Sequence, residues 1–287
     1  MANYSTHYSV SVFRGCRLAL HLLYGVMLAI FYPSLSQIRQ RHTLKNWSRQ
    51  VLNILNIGIQ IDGLPPARDG TGCLMVANHV SWLDIFVLNA IHPSLFIAKS
   101  EVRNWPLIGW LCERSGTIFI ERSLRQNAAS INQRIATLLR QGVSVGLFPE
   151  GTTTDGKQVG HFHSALIQPA VDAGVSLCPI ALHYRDEAGE LSTAAAFTGD
   201  TTLAQSIWQI MCCQQLNSLV IFTPALITTN ENRRVLSRAA QQAIALKLAS
   251  IAPHKRKPEQ ISPHQELLSS QSAYALLISQ DMGQTPR

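Results

Sequence analysis

Charged side chains make up only 14% of this 287-residue sequence, and acids are outnumbered by bases, 17 to 24. The net charge of +7, with a pI near 9.3, suits nucleic acid, an anionic membrane surface or an acidic acyl carrier protein. No recognised nucleic-acid motif is present, so no nucleic-acid partner is expected. Cysteine is sparse and unpatterned. Positions 16, 73, 112, 178, 212 and 213 contain no C-x-x-C spacing, which excludes zinc-ribbon and dithiol redox frameworks. Most of them fall in apolar runs, as buried, reduced thiols of a cytoplasmic protein would. His161-x-His163 lacks a cysteine or carboxylate at ligand spacing, so no metal is expected. Strict heptads and short-period repeats are missing as well, which excludes a solenoid.

What is present centres on Asn78-His79-Val80-Ser81-Trp82-Leu83-Asp84, set between the apolar runs 73–77 and 85–88. On one ideal helix the His and Asp, five positions apart, would point about 140° away from each other. They meet only if the chain bends, with a strand ending near Asn78, His79 in the turn and Asp84 in the first turn of a helix. Ser81-x-x-Asp84 is also a helix-start signature, in which Ser caps the amide near Asp84 and Asp reaches back. Both readings stand on these residues alone.

Three later segments carry polar chemistry at strand ends. Residues 116–122 alternate as a short strand that starts at Gly116 and delivers Arg122 at its exit, a guanidinium suited to phosphate or carboxylate. A helical stretch from about Arg125 to Arg140 follows. The strand 143–148 then enters Pro149-Glu150-Gly151-Thr152-Thr153-Thr154-Asp155-Gly156, where glycine permits close approach and hydroxyls can hold head-group oxygens. A fourth apolar strand, 175–182, contains Pro179 in mid-course, which points to an edge, a bulge or a groove margin.

In this order and spacing the four segments, from about Ile59 to Ile227, resemble the glycerolipid acyltransferase family, typified by 1-acylglycerol-3-phosphate acyltransferases. The family block Asn-His-x-x-x-x-Asp is matched by Asn78, His79 and Asp84. The resemblance implies His79 as general base and Asp84 as its orienting partner, with Gly116, Arg122, Glu150, Gly151, Thr152 and Pro179 in substrate binding. Glu121 stands where Asp is more usual, and Thr153 where many phosphatidate-forming members carry arginine. That departure, with Phe197-x-Gly199-Asp200, is similar to the lyso-ornithine branch.

The implied reaction moves a fatty acyl group from an acyl thioester, on acyl carrier protein or coenzyme A, to the hydroxyl of a lyso-lipid. The first acceptor is 1-acylglycerol-3-phosphate; lyso-ornithine lipid or a lysophospholipid is the alternative. A thioester is already activated, so no cofactor is called for, and direct attack needs no acyl-enzyme. A neutral imidazole acting as general base contributes on the order of 10² to 10⁴ in rate. The rival from another class is a silent lipid-binding protein, for which His79, Asp84 and Glu150 would have no chemical use.

Residues 1–57 are expected to form a membrane-associated helical hairpin. The apolar run 18–32 follows Arg14 and Arg17 and ends at Pro33; about 15 residues is short of the roughly 20 needed to span. It can lie in the interface, re-enter, or span with the arginines snorkelling, the cytoplasmic side then holding the N-terminus. No small-residue cleavage site follows Tyr32, which argues against a secretory signal. The segment from about Leu35 to Ile57 alternates bases with apolar residues, as an interfacial helix does. Residues 58–252 are expected to form an α/β domain with a mixed central sheet flanked by helices, and 253–287 a mobile tail.

Overall fold

The computed structural model describes residues 6–67, 70–120 and 125–251; Arg122 and the expected tail lie outside the described residues. Among the described residues seven strands form a single sheet: β1 (Ile57–Asp62), β2 (Leu74–Ala77), β3 (Leu95–Lys99), β4 (Ile118–Ile120), β5 (Val145–Leu147), β6 (Leu177–Arg185) and β7 (Leu216–Phe222). Their order is β1-β7-β6-β2-β5-β3-β4. All neighbours run parallel except β6 and β7, so the sheet is mixed. Central β2 is buried at all four positions, and its uninterrupted Leu-Met-Val-Ala run is what a strand covered on both faces requires.

Helices cover the two faces. On one, α2 (Gln37–Ile54), α3 (Leu83–Ile91) and α7 (Leu203–Cys212) pack Val51, Leu52, Val87 and Ile210 against Ile180, Leu182 and Tyr184 of β6. On the other, α5 (Arg125–Arg140), α6 (Gln168–Ala173) and α8 (Arg233–Ile251) bring Ile135, Leu139, Ala170, Leu236 and Ile244 against Leu177 and Ala181. The period-two alternation of β6 thus splits its side chains between two cores. After β2 the chain visits β3, β4 and β5 on one side and then β6 on the other. That makes the carboxyl end of β2 the topological switch point of the sheet, the place where open α/β sheets bind ligands.

Pro179 does not mark an edge, because β6 lies between β7 and β2. It does mark a bulge. Thr223 N–H donates to the Pro179 carbonyl at 3.1 Å, whereas Leu177 pairs with Leu226, so three steps on one strand face two on the other. Proline, which has no N–H to return, sits where the regular ladder stops.

Helix α1 (Tyr8–Phe31) is longer than the apolar run alone suggests, and with the following turn it is long and apolar enough to cross a membrane. Its periodicity is inverted relative to that of a helix on a soluble core. Ser11, Arg14, Leu18, His21, Gly25 and Ala29 face the protein, while Phe13, Leu20, Leu23, Met27 and Phe31 are exposed. Cys16 shares the outward face, and only Cys73 and Cys178 of the six free thiols are buried; an apolar neighbourhood in sequence did not mean burial where the helix turns outward.

Of the two arginines expected to snorkel, Arg14 is buried. Its guanidinium donates to the carbonyls of Met211 at 3.0 Å, Cys213 at 2.6 Å and Gln214 at 3.1 Å, closing the end of α7, where carbonyls lack helical partners. At the other end of α1, Arg114 of α4 (Ile108–Arg114) donates to Ala29 and Ile30 at 3.0 and 2.6 Å. Between them His21 stacks on Trp47 of α2 at 5.1 Å, and a Cβ on Gly25 would come within 2.9 Å of that indole. We expect Arg14→Met to lower unfolding free energy by about 2 kcal/mol, read from the denaturant midpoint in detergent. Arg17→Met, on the exposed face, should change it by less than about 0.5 kcal/mol.

Candidate active site

The turn that the sequence needed is present. β2 ends at Ala77, α3 begins at Leu83, and His79 Nδ1 lies 2.8 Å from Asp84 Oδ2. The same oxygen accepts the main-chain N–H groups of Val80 at 2.8 Å and Ser81 at 3.0 Å, so Asp84 both closes the helix start and holds the imidazole. The two sequence readings describe one carboxylate. Ser81 makes no cap; its hydroxyl is buried without a partner.

Asp84 is fully buried, and Tyr184 Oη donates to its other oxygen, Oδ1, at 2.7 Å. An ionised carboxylate only accepts, so Nδ1 of His79 carries a proton, and in the neutral ring Nε2 is the nitrogen with the free lone pair. The His79 side chain is 20% exposed, enough for a ligand to reach it. The ring lies flat on Phe148, 3.9 Å between centroids and 7° between planes, and Phe96 stacks behind. Phe96 has room there because residue 146 is glycine: a Cβ would fall 2.6 Å from its ring.

Main-chain contacts fix the turn. Asn78 is buried, and its amide donates to Leu182 O at 2.9 Å and accepts from Leu182 N at 2.7 Å, extending the β2–β6 pairing by a side chain. Thr154 N–H and Oγ1 both donate to the His79 carbonyl, at 2.8 and 3.2 Å. Trp82 Nε1 donates to Ser206 of α7 at 3.1 Å.

The loop after β5 places Glu150 beside this turn. Its side chain is buried and neither oxygen closes a hydrogen bond. Burial pushes its pKa up to about 7, offset in part by the nearby amides of His79 and Gly160. Gly151 adopts φ +69° and Thr152 is exposed, both on the same loop. Thr153, where a cation is absent, donates its hydroxyl to the Phe197 carbonyl, and Phe197 N–H donates to Val80 O at 2.9 Å. The segment around Phe197 is therefore clasped between the dyad turn and the threonine loop.

Two expected site residues sit elsewhere. Gly116 (φ +84°) closes α4 at the amino end of edge strand β4, the end of the sheet opposite His79, where its freedom serves a turn. Pro179 lies inside the sheet, on the face away from Leu182 and Tyr184 by strand alternation. Conversely, sequence reasoning passed over Tyr184, whose only signal was that it shares the face of Ile180 and Leu182; a buried tyrosine there reads as core.

The letters Gly142-Val143-Ser144-Val145-Gly146 spell the Gly-x-Ser-x-Gly of a nucleophile elbow. An elbow follows its strand, whereas Ser144 precedes β5, at the amino end of the sheet. Its hydroxyl is buried and meets Cys73 Sγ at 3.6 Å, so it is no nucleophile for this site.

Glu150 ties stability to pH. Its folded pKa lies above the ordinary 4.5, so the folded state binds the proton more tightly; stability is full below about 4.5 and is lost as pH rises to about 7. Glu150→Gln, which copies the neutral form, should be more stable than the parent at pH 8 by up to about 3 kcal/mol. The advantage should vanish near pH 4.5, as thermal unfolding at the two pH values would show.

A family model described as Acyltransferase matches residues 58–183. A 1-acyl-sn-glycerol-3-phosphate acyltransferase of Neisseria meningitidis is 36% identical over 241 residues, covering 83% of this chain and 93% of the relative. A lyso-ornithine lipid O-acyltransferase of Pseudomonas aeruginosa is 37% identical over 215 residues, covering 75% and 81%. The crystal structure of the 1-acyl-sn-glycerophosphate acyltransferase PlsC from Thermotoga maritima shares the fold, with TM-score 0.59 at 18% identity over 85% of this chain and all of that one. With relatives of this identity matched over nearly their whole length, and the family's Asn-His-x-x-x-x-Asp block at residues 78–84, the chain belongs to the glycerolipid acyltransferase family.

Proposed function

We propose that this acyltransferase moves a fatty acyl group from an acyl thioester, on acyl carrier protein or coenzyme A, to the free hydroxyl of a lyso-lipid, with 1-acylglycerol-3-phosphate as acceptor and phosphatidate as product. The observation that carries this is the 2.8 Å contact between His79 Nδ1 and Asp84 Oδ2. It leaves Nε2 as the base on a partly exposed ring. In this reading Nε2 takes the acceptor's hydroxyl proton as its oxygen attacks the thioester carbon. The tetrahedral adduct then expels the thiolate, which receives the proton back from the imidazolium. Asp84 holds the ring and favours its charged form during transfer.

Arg122 is assigned to the anionic head group by family resemblance. Glu150, Gly151 and Thr152 are assigned to the acceptor, Glu150 being able to donate a hydrogen bond when neutral. The second reading, lyso-ornithine lipid, draws on Thr153: its hydroxyl is committed to Phe197, and the residue offers no cation to a phosphomonoester. The similarity to a lyso-ornithine lipid O-acyltransferase supports it as well.

The outward apolar face of α1 supports a site at the membrane surface; the cytoplasmic side is assigned from the arginines at the start of the apolar run. Trp105, Leu107 and Trp110 are also partly exposed, and Arg114 lies over the Trp110 ring at 5.8 Å while it binds the end of α1. These side chains continue the apolar surface beyond the helix. The basic excess of the chain fits anionic lipid.

Three outcomes are expected. His79→Ala should lower thioester-dependent transfer by about 10² to 10⁴-fold with vesicle binding unchanged; near-normal turnover would remove the base assignment. Arg122→Ala should raise the acceptor KM more than it lowers kcat when lysophosphatidate and lyso-ornithine lipid are compared as acceptors. The acceptor with the higher kcat/KM decides between the two readings. Leu23→Glu with Met27→Glu should release the protein from anionic vesicles in a flotation assay, whereas retention would place the membrane contact elsewhere.

A further inference from the structure

We propose that Tyr184 is a positioning residue for acyl transfer, acting on His79 through Asp84. The inference rests on the His79–Asp84 assignment above and extends it by one residue across the sheet. Asp84 has no exposed surface, so each of its lone pairs must find a donor inside the protein. Oδ2 has three: the imidazole and the amides of Val80 and Ser81. Oδ1 has the phenol of Tyr184, at 2.7 Å. Tyr184 is 1% exposed and sits near the end of β6, directly across the β6–β7 ladder from Ser218.

A carboxylate with one oxygen committed to a neutral donor holds less of its charge for the other partner. The phenol therefore sets how strongly Asp84 stabilises the imidazolium. It also fixes the carboxylate plane, and with it the tilt of the ring on Phe148. Among the described residues, the titratable groups seen to face the pair are Glu150, from the loop after β5, and Tyr184 itself; Ser218 on β7 and Ser206 behind Trp82 are neutral. A purely packing role would need the ring of Tyr184 and not its hydroxyl.

Tyr184→Phe removes only that hydroxyl. With Oδ1 unsatisfied, the carboxylate draws harder on the imidazole, which stays protonated to higher pH. We expect the ascending limb of the kcat–pH profile to move up by about half to one pH unit, a loss of about three- to tenfold on that limb, with the acceptor KM unchanged. The imidazole titration of His79, followed by NMR in the purified full chain, should move in the same direction. Because Glu150 is lifted to about 7 and lies beside the dyad, the NMR titration is repeated with Glu150→Gln present. Should Tyr184→Phe fail to fold, 3-fluorotyrosine labelling of the parent makes the phenol more acidic and a stronger donor to Asp84 Oδ1, and predicts a shift of the opposite sign. An unmoved limb and an unmoved His79 titration, whatever the change in Tm, would overturn the role of Tyr184. Activity surviving His79→Ala would instead overturn the dyad itself.

Discussion

A single buried carboxylate organises this protein's candidate active site. Asp84 lies wholly out of water and accepts from four donors drawn from three sources: the turn after β2, the imidazole of His79 and the phenol of Tyr184 on β6. A bare carboxylate in that position would cost several kcal/mol in desolvation, so the turn, the helix start and the strand register have to agree before the site can form. The same four bonds that make the charge tolerable aim the imidazole. Fold and chemistry are not separable at this residue.

Around that point the sheet and the loops divide the labour. The sheet supplies fixed spacing: Asn78 locks onto Leu182, and the stack of Phe96, Phe148 and His79 fixes the ring plane. The loop after β5 supplies polar groups, yet two of its three threonine hydroxyls, those of Thr153 and Thr154, go to main-chain carbonyls. A hydroxyl-rich loop looks like a ligand cradle in sequence, but much of its hydrogen-bonding capacity holds the protein together. Glu150 is the exception, buried and unsatisfied, and its raised pKa reflects what that placement costs.

Much of this was legible from local pattern. The four strand segments read at 73–77, 116–122, 143–148 and 175–182 correspond to β2, β4, β5 and β6, and the His79–Asp84 bend could be derived because a straight helix would have kept the two apart. What stayed hidden depends on long-range packing. Tyr184 lies 100 residues from Asp84 in sequence, and nothing around it distinguishes it from a core tyrosine. The burial of Arg14 depends on the end of α7 lying beside it, and a count of apolar residues could not place it. Gly116 was expected at the site because it lies in a family block, whereas in the fold it closes α4. The five letters at 142–146 carry the opposite lesson, since a motif without its strand-to-helix context has no chemistry.

The glycine at position 146 sits in mid-strand on β5, yet Phe96 occupies the space its missing side chain leaves, and Phe148 leans on Phe96. Any larger residue there would tilt two aromatic planes and, through them, the face that the imidazole offers. A survey of tolerated substitutions in this chain would then flag a mid-strand position as if it belonged to the reaction centre, and the flag would be correct in effect although no atom of residue 146 takes part.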